Sequence, residues 1–181
     1  MVRFIDNGLA VAMGASLMTR RNLAENVSEE ELKKLVFEPF ANPFRVYELW
    51  KDVEAFLKVF DNGATGFCFN SVGFWRTSDR DLRKIPLQTS LTLQTALLTD
   101  RLTWTDWDVL PGAQIPDKKS VEKILPGYSE RYSPSRVENP EDYAATVRDR
   151  FMQRRNFLQN SDLHHKPELL LRLVNSLMVK C

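Results

Sequence analysis

The chain has 181 residues and carries 25 lysines and arginines against 24 aspartates and glutamates, which gives a formal net charge of +1. A chain of this length suits one globular unit with a substantial hydrophobic core. A net charge this close to zero provides no general attraction to nucleic acid or to an anionic membrane, so we expect neither as a partner.

The two cysteines, Cys68 and Cys181, lie far apart in the sequence. Their spacing suits neither a disulfide framework nor a metal-binding cysteine pair, which favours a reducing, cytoplasmic location. The apolar stretch near the amino terminus is interrupted by Asp6 and Asn7, so we do not expect a signal peptide. No later segment approaches the ~18 apolar residues that a membrane-spanning helix needs.

A capping box predicts the first helix. Ser28 is followed three residues later by Glu31, and the helix that they begin would place Leu35 and Val36 on one face and end before Pro39. A longer helix is predicted over residues 46–60, because its apolar residues recur at helical spacing and Asn62-Gly63 follows as a stop signal. The residues predicted to face the core are Val46, Leu49, Trp50, Val53, Phe56, Leu57 and Phe60.

The composition then changes to that of a β-strand around Cys68, where Phe67 and Phe69 flank the cysteine. A charged loop is predicted over residues 75–88, followed by a helix with Thr89 near its start and a strand over residues 102–109. The succession of strand, loop, helix and strand predicts a mixed α/β (α+β) fold.

Most prolines of the chain fall between Pro111 and Pro140, which predicts a long surface connection with one short helical turn at residues 121–124. Asn139 and Pro140 then suit the N-cap and first position of a helix. Its predicted core residues are Tyr143, Val147, Phe151 and Leu158. A last amphipathic helix is predicted from Pro167, with one apolar side formed by Leu170, Leu173, Val174 and Leu177.

Most signatures of catalysis or metal binding are absent from the sequence. With 7 glycines it contains no glycine-rich phosphate loop, and it contains no Ser-His-Asp arrangement. The histidines, His164 and His165, are adjacent and have no nearby ligand partners, so a solvated lead into a helix is favoured over a metal site. We therefore assign no catalytic and no metal-ligating residue.

Two basic segments remain as candidates for anion binding. In residues 81–98, Arg83 and Lys84 precede a helix whose first turn carries Thr89, and a guanidinium, a hydroxyl and a helix N-terminus together can hold a nucleotide. The alternative is an ordinary helix start, in which Thr89 caps the helix and Arg83 forms a surface ion pair. A second segment could contact a polyanion, although a solvated helix end is favoured there, through Arg148, Arg150, Arg154 and Arg155.

The order of motifs from about Phe37 to Leu158 resembles the C-terminal part of ATP-dependent phosphoenolpyruvate carboxykinases. The motifs are, in order, "FEPFANPF", the helix over residues 46–60, "GFCFNSVGFW", "LRKIPLQTSLTLQTALL", "LPGY" and "SPSRVENPEDY". In that family an arginine and a threonine six residues apart contact the nucleotide around its adenine and ribose. The resemblance implies these two nucleotide-binding roles for Arg83 and Thr89.

The resemblance also implies a reaction for the intact protein, in which oxaloacetate and ATP give phosphoenolpyruvate, ADP and CO2 with magnesium and manganese as cofactors. The family's phosphate loop, metal ligands and substrate-binding arginines lie upstream of the matched region. The resemblance thus implies a fragment or remnant that is inactive alone and needs the missing N-terminal part or a partner chain.

On this basis the chain divides into three predicted segments. Residues 1–36 form a strand or loop and a short helix, residues 37–160 the carboxykinase-like nucleotide-binding portion, and residues 161–181 a C-terminal helix. The alternative, from a different class of protein, is a non-catalytic structural or protein-interaction domain.

Overall fold

The computed structural model describes residues 1–20, 35–69, 73–75, 82–132 and 140–178, and they form a mixed α and β structure with small antiparallel sheets. The predicted mixed class is therefore confirmed. The strands are β1 (Val2–Phe4), β2 (Met18–Arg20), β3 (Leu35–Phe37), β4 (Gly66–Cys68), β5 (Gly73–Trp75), β6 (Leu82–Lys84), β7 (Trp104–Asp106) and β8 (Ala113–Pro116). The α-helices are α1 (Asn7–Ala15), α2 (Leu49–Asp61), α3 (Leu87–Leu98), α4 (Lys118–Ile124), α5 (Tyr128–Tyr132), α6 (Pro140–Gln159) and α7 (Pro167–Ser176).

The chain divides into two compact units, each assembled from separate stretches of sequence. The first unit contains residues 1–5 and 65–150, and the second contains residues 6–64 and 151–178. In the chain, residues 6–64 of the second unit thus lie between the first strand of the first unit and the rest of that unit, and residues 151–178 follow it.

A four-stranded antiparallel sheet organises the first unit, in the order β4, β1, β8, β7. Arg3 lies at its centre, opposite Phe67 on one side and Gln114 on the other. The strand predicted around Cys68 is confirmed as β4. The strand predicted over residues 102–109 is confirmed only as the shorter β7, because the chain turns after Asp106 to reach β8.

The prediction of a long surface connection after Pro111 is wrong, although the helical turn predicted within it at residues 121–124 is confirmed as part of α4. Strand β8 occupies a central position between β1 and β7, and helices α4 and α5 follow it. The prolines mark the ends of this strand: Pro111 lies before it, and Pro116 is its last residue, opposite Trp104. Proline at a strand end costs little, because few ladder hydrogen bonds are lost there.

The predicted charged loop over residues 75–88 is wrong at its second half, where Leu82–Lys84 forms β6. This strand pairs antiparallel with β5, with Arg83 opposite Phe74. The helix predicted after it is confirmed as α3. Leu93 and Ala96 of α3 are buried in the core of the first unit together with Leu102 and Val121.

Helix α1 lies at the centre of the second unit. Its residues Leu9, Val11, Ala12 and Ala15 are completely buried. The helix packs against α2 and α7. Gly14 allows one close approach, because a Cβ atom at that position would lie only 2.9 Å from the ring of Phe40.

The helix predicted over residues 46–60 is confirmed as α2, with Leu49, Val53 and Leu57 buried. Two of the predicted core positions are wrong. Val46 is 81% exposed because the helix begins after it, and Phe56 is 39% exposed.

The prediction of a helix from the capping box is wrong for the C-terminal end of that helix. Leu35–Phe37 forms strand β3 instead, which pairs with β2. Ser28 and Glu31, the two residues of the predicted capping box, lie outside the described residues. An apolar run at the end of a predicted helix has therefore formed a short strand instead, stabilised by its antiparallel ladder to Met18–Arg20.

The two C-terminal helices are confirmed as α6 and α7, and both begin at a proline. Asn139, the predicted N-cap of α6, lies outside the described residues. Of the eight predicted core residues in the two helical segments, the buried ones are Phe151, Leu158, Leu173, Val174 and Leu177. The half-buried ones are Tyr143, Val147 and Leu170.

Candidate functional site

The two residues predicted to bind nucleotide lie on either side of the two-residue connection between β6 and α3, here called the β6–α3 corner. Arg83 is the middle residue of β6, and its backbone faces Phe74 of β5. Only Ile85 and Pro86 separate the strand from the helix. The side chain of Arg83 lies outside the described part of the chain, so its distance from Thr89 stays a prediction.

Among the described residues, no side chain caps the N-terminus of α3. Pro86 occupies the N-cap position in an extended conformation, and within the described residues no side chain donates or accepts a capping hydrogen bond there. The first turn of α3 also contains no acidic residue. The partial positive charge that the peptide dipoles create at this end of the helix is therefore not balanced from within the first turn.

Thr89 is the third residue of α3 and is half-buried. Its backbone N–H donates to the carbonyl of Pro86 at 2.9 Å. The alternative in which Thr89 caps the helix is therefore wrong, because the cap position belongs to Pro86. Thr89 belongs to the first turn of the helix, close to the end at which N–H groups lack intrahelical partners.

The residue types at this corner suit a polar, anionic molecule. It combines an uncapped helix N-terminus, a threonine hydroxyl in the first turn, and a strand that carries Arg83 and Lys84 up to the helix. Backbone N–H groups and a helix dipole favour anions, and a guanidinium adds charge-assisted hydrogen bonds.

A separate cavity of about 590 Å³ lies within the first unit. Residues from strands β1, β7 and β8 form one part of its lining, and helices α4 and α5 form another. Its aromatic and charged lining residues are Trp107, Tyr128, Tyr132, Lys118, Glu122 and Glu130. Thr89 is not among the lining residues.

Glu122 fastens the turn between α4 and α5 that borders this cavity. Its Oε2 accepts from the backbone N–H of Gly127 at 2.6 Å, and its Oε1 accepts from the backbone N–H of Ser129 at 2.6 Å. The hydrogen bond from the N–H of Ser129 is the main cause of a lowered pKa of the Glu122 carboxyl. Glu122 is therefore a carboxylate at neutral pH, with both oxygens engaged.

Tyr128 and Tyr132 lie beside each other in the lining of the cavity. Their ring centroids are 5.2 Å apart, and their ring planes are tilted by 49°. Burial is the main cause of a raised pKa of the Tyr128 hydroxyl, which keeps the phenol neutral. Sequence reasoning did not identify this cavity. In the sequence, the relevant pattern is the pair Tyr128 and Tyr132, which are four residues apart. This spacing does not show that the helix carrying them lines a cavity together with a sheet.

The adjacent histidines occupy a short 3-10 helix, Asp162–His165, in the second unit. Both rings are exposed, and their centroids are 4.0 Å apart. Asp162 of the same turn accepts from the backbone N–H groups of Leu49 and Trp50. The turn therefore helps to hold the start of α2 in place.

Among the described residues no group of three or more histidine, cysteine or acidic side chains could hold a metal ion.

The arginines considered for polyanion binding differ in their surroundings. Nη1 of Arg154 donates to the backbone carbonyl of the buried Ser16. Arg148 is exposed, and Arg150 lies 3.8 Å from the carboxylate of Asp149. Arg154 thus stabilises the end of α1 and is not a freely presented surface charge.

None of the helices in the described part of the chain has both the length and the apolar character needed to cross a lipid bilayer. Comparisons of the chain with protein-family models, with curated proteins and with solved structures found no match. Functional inference for this chain thus depends on its motifs and on the geometry of its sites.

Proposed function

We propose that the corner between β6 and α3 contributes the adenine and ribose contacts of an ATP site, and that the chain is a divergent part of a carboxykinase-like protein. The observation that carries this proposal is the N-terminus of α3, which no described side chain caps and whose first turn has no acidic residue. The helix begins four residues after Arg83 and carries Thr89 in its first turn. The resemblance in motif order gives this polar corner its specific ligand.

In this proposal the named residues position the nucleotide and take no part in bond making. The Thr89 hydroxyl hydrogen-bonds the nucleotide, and the Arg83 guanidinium contacts the base and sugar or a nearby phosphate. In the intact protein the reaction converts oxaloacetate and ATP into phosphoenolpyruvate, ADP and CO2. Magnesium and manganese would stabilise phosphoryl charge there, on ligands from outside this chain.

A calorimetric titration of the full chain with ATP at low salt tests the proposal. We expect saturable binding that weakens about ten-fold in Arg83→Ala, because a hydrogen bond to a charged group is worth roughly 1.5–3 kcal/mol. Thr89→Ala should weaken binding less. Matched controls are Arg101→Ala and Thr95→Ala, which alter exposed residues of the same unit.

Two results would contradict nucleotide binding at this corner. One is the absence of any ATP binding at low salt. The other is ATP binding that is equally strong in Arg83→Ala and in the Arg101→Ala control, which would move the nucleotide to a different part of the protein.

A non-catalytic interaction domain is the second candidate, and the outer face of α3 favours it. Leu87, Leu91 and Leu98 are exposed by 70%, 46% and 85%. Spacings of four and eleven residues place all three on one side of a helix. An exposed row of leucines is a feature of surfaces that bind other proteins.

Sedimentation measurements over a range of protein concentrations separate the two candidates. An interaction face predicts self-association, or association with an added partner, that Leu91→Ser and Leu98→Ser abolish while ATP binding is unchanged. If the protein stays monomeric and those variants behave as the wild type does, self-association through this face is contradicted.

A further inference from the structure

The cavity of the first unit differs in chemistry from the β6–α3 corner. Its volume of about 590 Å³ falls within the range of small-molecule sites, which is about 300–1,000 Å³. It lies entirely within one compact unit, and Thr89 does not contribute to its lining. A ligand of this cavity is therefore a different molecule, or a different part of one, from the nucleotide group proposed above.

The charges that line the cavity favour a cation. Two carboxylates, Glu122 and Glu130, stand against the exposed ammonium group of Lys118 and the α-amino group of Met1. Burial lowers the pKa of that α-amino group, which disfavours its charged form. Glu122 cannot be neutralised easily near neutral pH, because two backbone N–H groups donate to it. An anionic ligand would have to overcome this negative balance.

The aromatic lining favours a cation for an independent reason. The ring faces of tryptophan and tyrosine carry negative electrostatic potential and attract cations. Trp107, Tyr128 and Tyr132 all line the cavity. Because the two tyrosine rings are tilted by 49°, neither ring lies flat over the other. In the described part of the chain, lysine and arginine groups lie over Trp104 and Trp50, and none is recorded over Trp107 or Tyr128.

The remaining lining residues carry no charged side chain, and their apolar surface limits the shape of the ligand. Val2, Ile115, Pro116 and Val121 give apolar surface from the sheet and from α4. A small inorganic cation would gain nothing from that surface, whereas methyl or methylene groups around a charged nitrogen would be buried against it.

From this combination we propose that the cavity binds an organic cation, an ammonium ion with apolar substituents, held between the aromatic rings and the two carboxylates. The turn between α4 and α5, which Glu122 closes, keeps Tyr128 beside the bound cation. This proposal does not depend on nucleotide binding by the chain.

The decisive experiment compares two probes of nearly the same shape. Choline carries a quaternary ammonium, and 3,3-dimethyl-1-butanol replaces the charged nitrogen with carbon. The full chain is titrated with each, and binding is followed by calorimetry and by the NMR signals of the tyrosine rings. We expect saturable choline binding and at least about ten-fold weaker binding of the neutral analogue.

Three variants test whether choline binds in this cavity. Glu130→Gln removes an exposed charge and should weaken choline binding several-fold without affecting the fold. Trp107→Leu should weaken it further, and its circular dichroism spectrum checks that the unit is folded. Tyr47→Leu is the matched control, because Tyr47 is an exposed aromatic residue of the other unit.

Three results would overturn the proposal. The first is equal affinity for choline and its neutral analogue, which would make the cavity simply apolar. The second is choline binding that is unchanged in both Glu130→Gln and Trp107→Leu. The third is inorganic phosphate binding more tightly than choline in a parallel titration, which would give the dominant role to Lys118.

Discussion

The carboxylate of Asp162 caps helix α2 at Leu49, although 113 residues separate the two in the chain. Its Oδ2 accepts from the backbone N–H of Leu49 at 2.9 Å, and its Oδ1 accepts from that of Trp50 at 3.2 Å. Glu48, the residue at the N-cap position, makes no capping hydrogen bond with its own side chain. A distant residue thus supplies the cap that the local sequence lacks.

Replacing Asp162 with alanine should destabilise the protein by about 0.5–2 kcal/mol, the cost of losing a helix cap. Urea unfolding followed by circular dichroism measures this change. Asp162→Asn keeps one acceptor oxygen and should lose less. The exposed Asp108 serves as a control, since Asp108→Ala removes a carboxylate that caps no helix. Equal stability of Asp162→Ala and Asp108→Ala would contradict the capping role.

Gly14→Ala should lower the free energy of unfolding by ~1–3 kcal/mol, the typical cost of overpacking. Alanine is the better helix former, so intrinsic propensity predicts the opposite sign. Steric conflict decides, because the new Cβ would lie 2.9 Å from the ring of Phe40, which is itself stacked on Phe56.

A double-mutant cycle with Phe40→Leu tests this cause directly. In the Phe40→Leu background the cost of Gly14→Ala should shrink. If alanine at position 14 stabilises the wild-type protein, the close approach does not limit packing in solution.

Acid should weaken the contact between α2 and α7 at Asp61. Arg172 donates to Asp61 through both terminal nitrogens, at 3.1 and 2.8 Å, and Asn7 donates at 2.9 Å. The hydrogen bonds from Arg172 are the main cause that lowers the pKa of Asp61 to about 2. A carboxyl with a lowered pKa stabilises the folded state above its ordinary pKa of 3.8, and this contribution is lost as the pH falls toward 2.

The test compares thermal unfolding of the wild type and of Arg172→Gln at several pH values. We expect a small loss of stability in the variant at pH 6, because the pair is exposed and screened by solvent. The difference should disappear near pH 2. A difference that stays constant from pH 6 to pH 2 would mean that Arg172 stabilises the helix pair without using the charge of Asp61.

Glu122→Gln should loosen the turn that borders the cavity. A glutamine has one acceptor oxygen, so the backbone N–H groups of Gly127 and Ser129 can no longer both be bonded as they are to Glu122. Hydrogen exchange of these two amides at pH 6 should become several-fold faster. Glu130→Gln is the control, because Glu130 is an exposed neighbour in the same segment.

The same effect should depend on pH. The pKa of Glu122 is lowered by the N–H donors, chiefly that of Ser129, so the contribution of its charge is present above the ordinary carboxyl pKa of 4.5 and is lost at lower pH. At low pH the wild type and Glu122→Gln should therefore exchange these amides at similar rates. Protection that is the same in both proteins at pH 6 would contradict the role of the carboxylate.

Elements with a strong local signal were predictable. Helix α2 has a regular apolar stripe through Val53 and Leu57, and α6 and α7 begin at Pro140 and Pro167. Such signals act within one or two helical turns, so they survive in the folded protein. Helix α1 gives no comparable stripe, because six of its nine residues are buried and no polar face alternates with an apolar one.

The candidate sites were predictable only in part. The basic strand and the polar helix start at residues 82–89 are contiguous in the chain, and the sequence was enough to single them out. The cavity draws its lining from residues between 1 and 132, which no local pattern connects. Its aromatic corner depends on Glu122, whose bonds to the turn cannot be inferred from spacing.

The sequence by itself determined the mixed fold class, the positions of the strongly amphipathic helices and the polar character of the segment around Arg83 and Thr89. These properties depend on interactions between residues that are close in the chain. The tertiary structure decided that β8 lies at the centre of a sheet, that Leu35–Phe37 forms a strand, and that Asp162 caps α2. In each of these cases the stabilising partner is distant in sequence, and its hydrogen bonds outweigh a weak local preference.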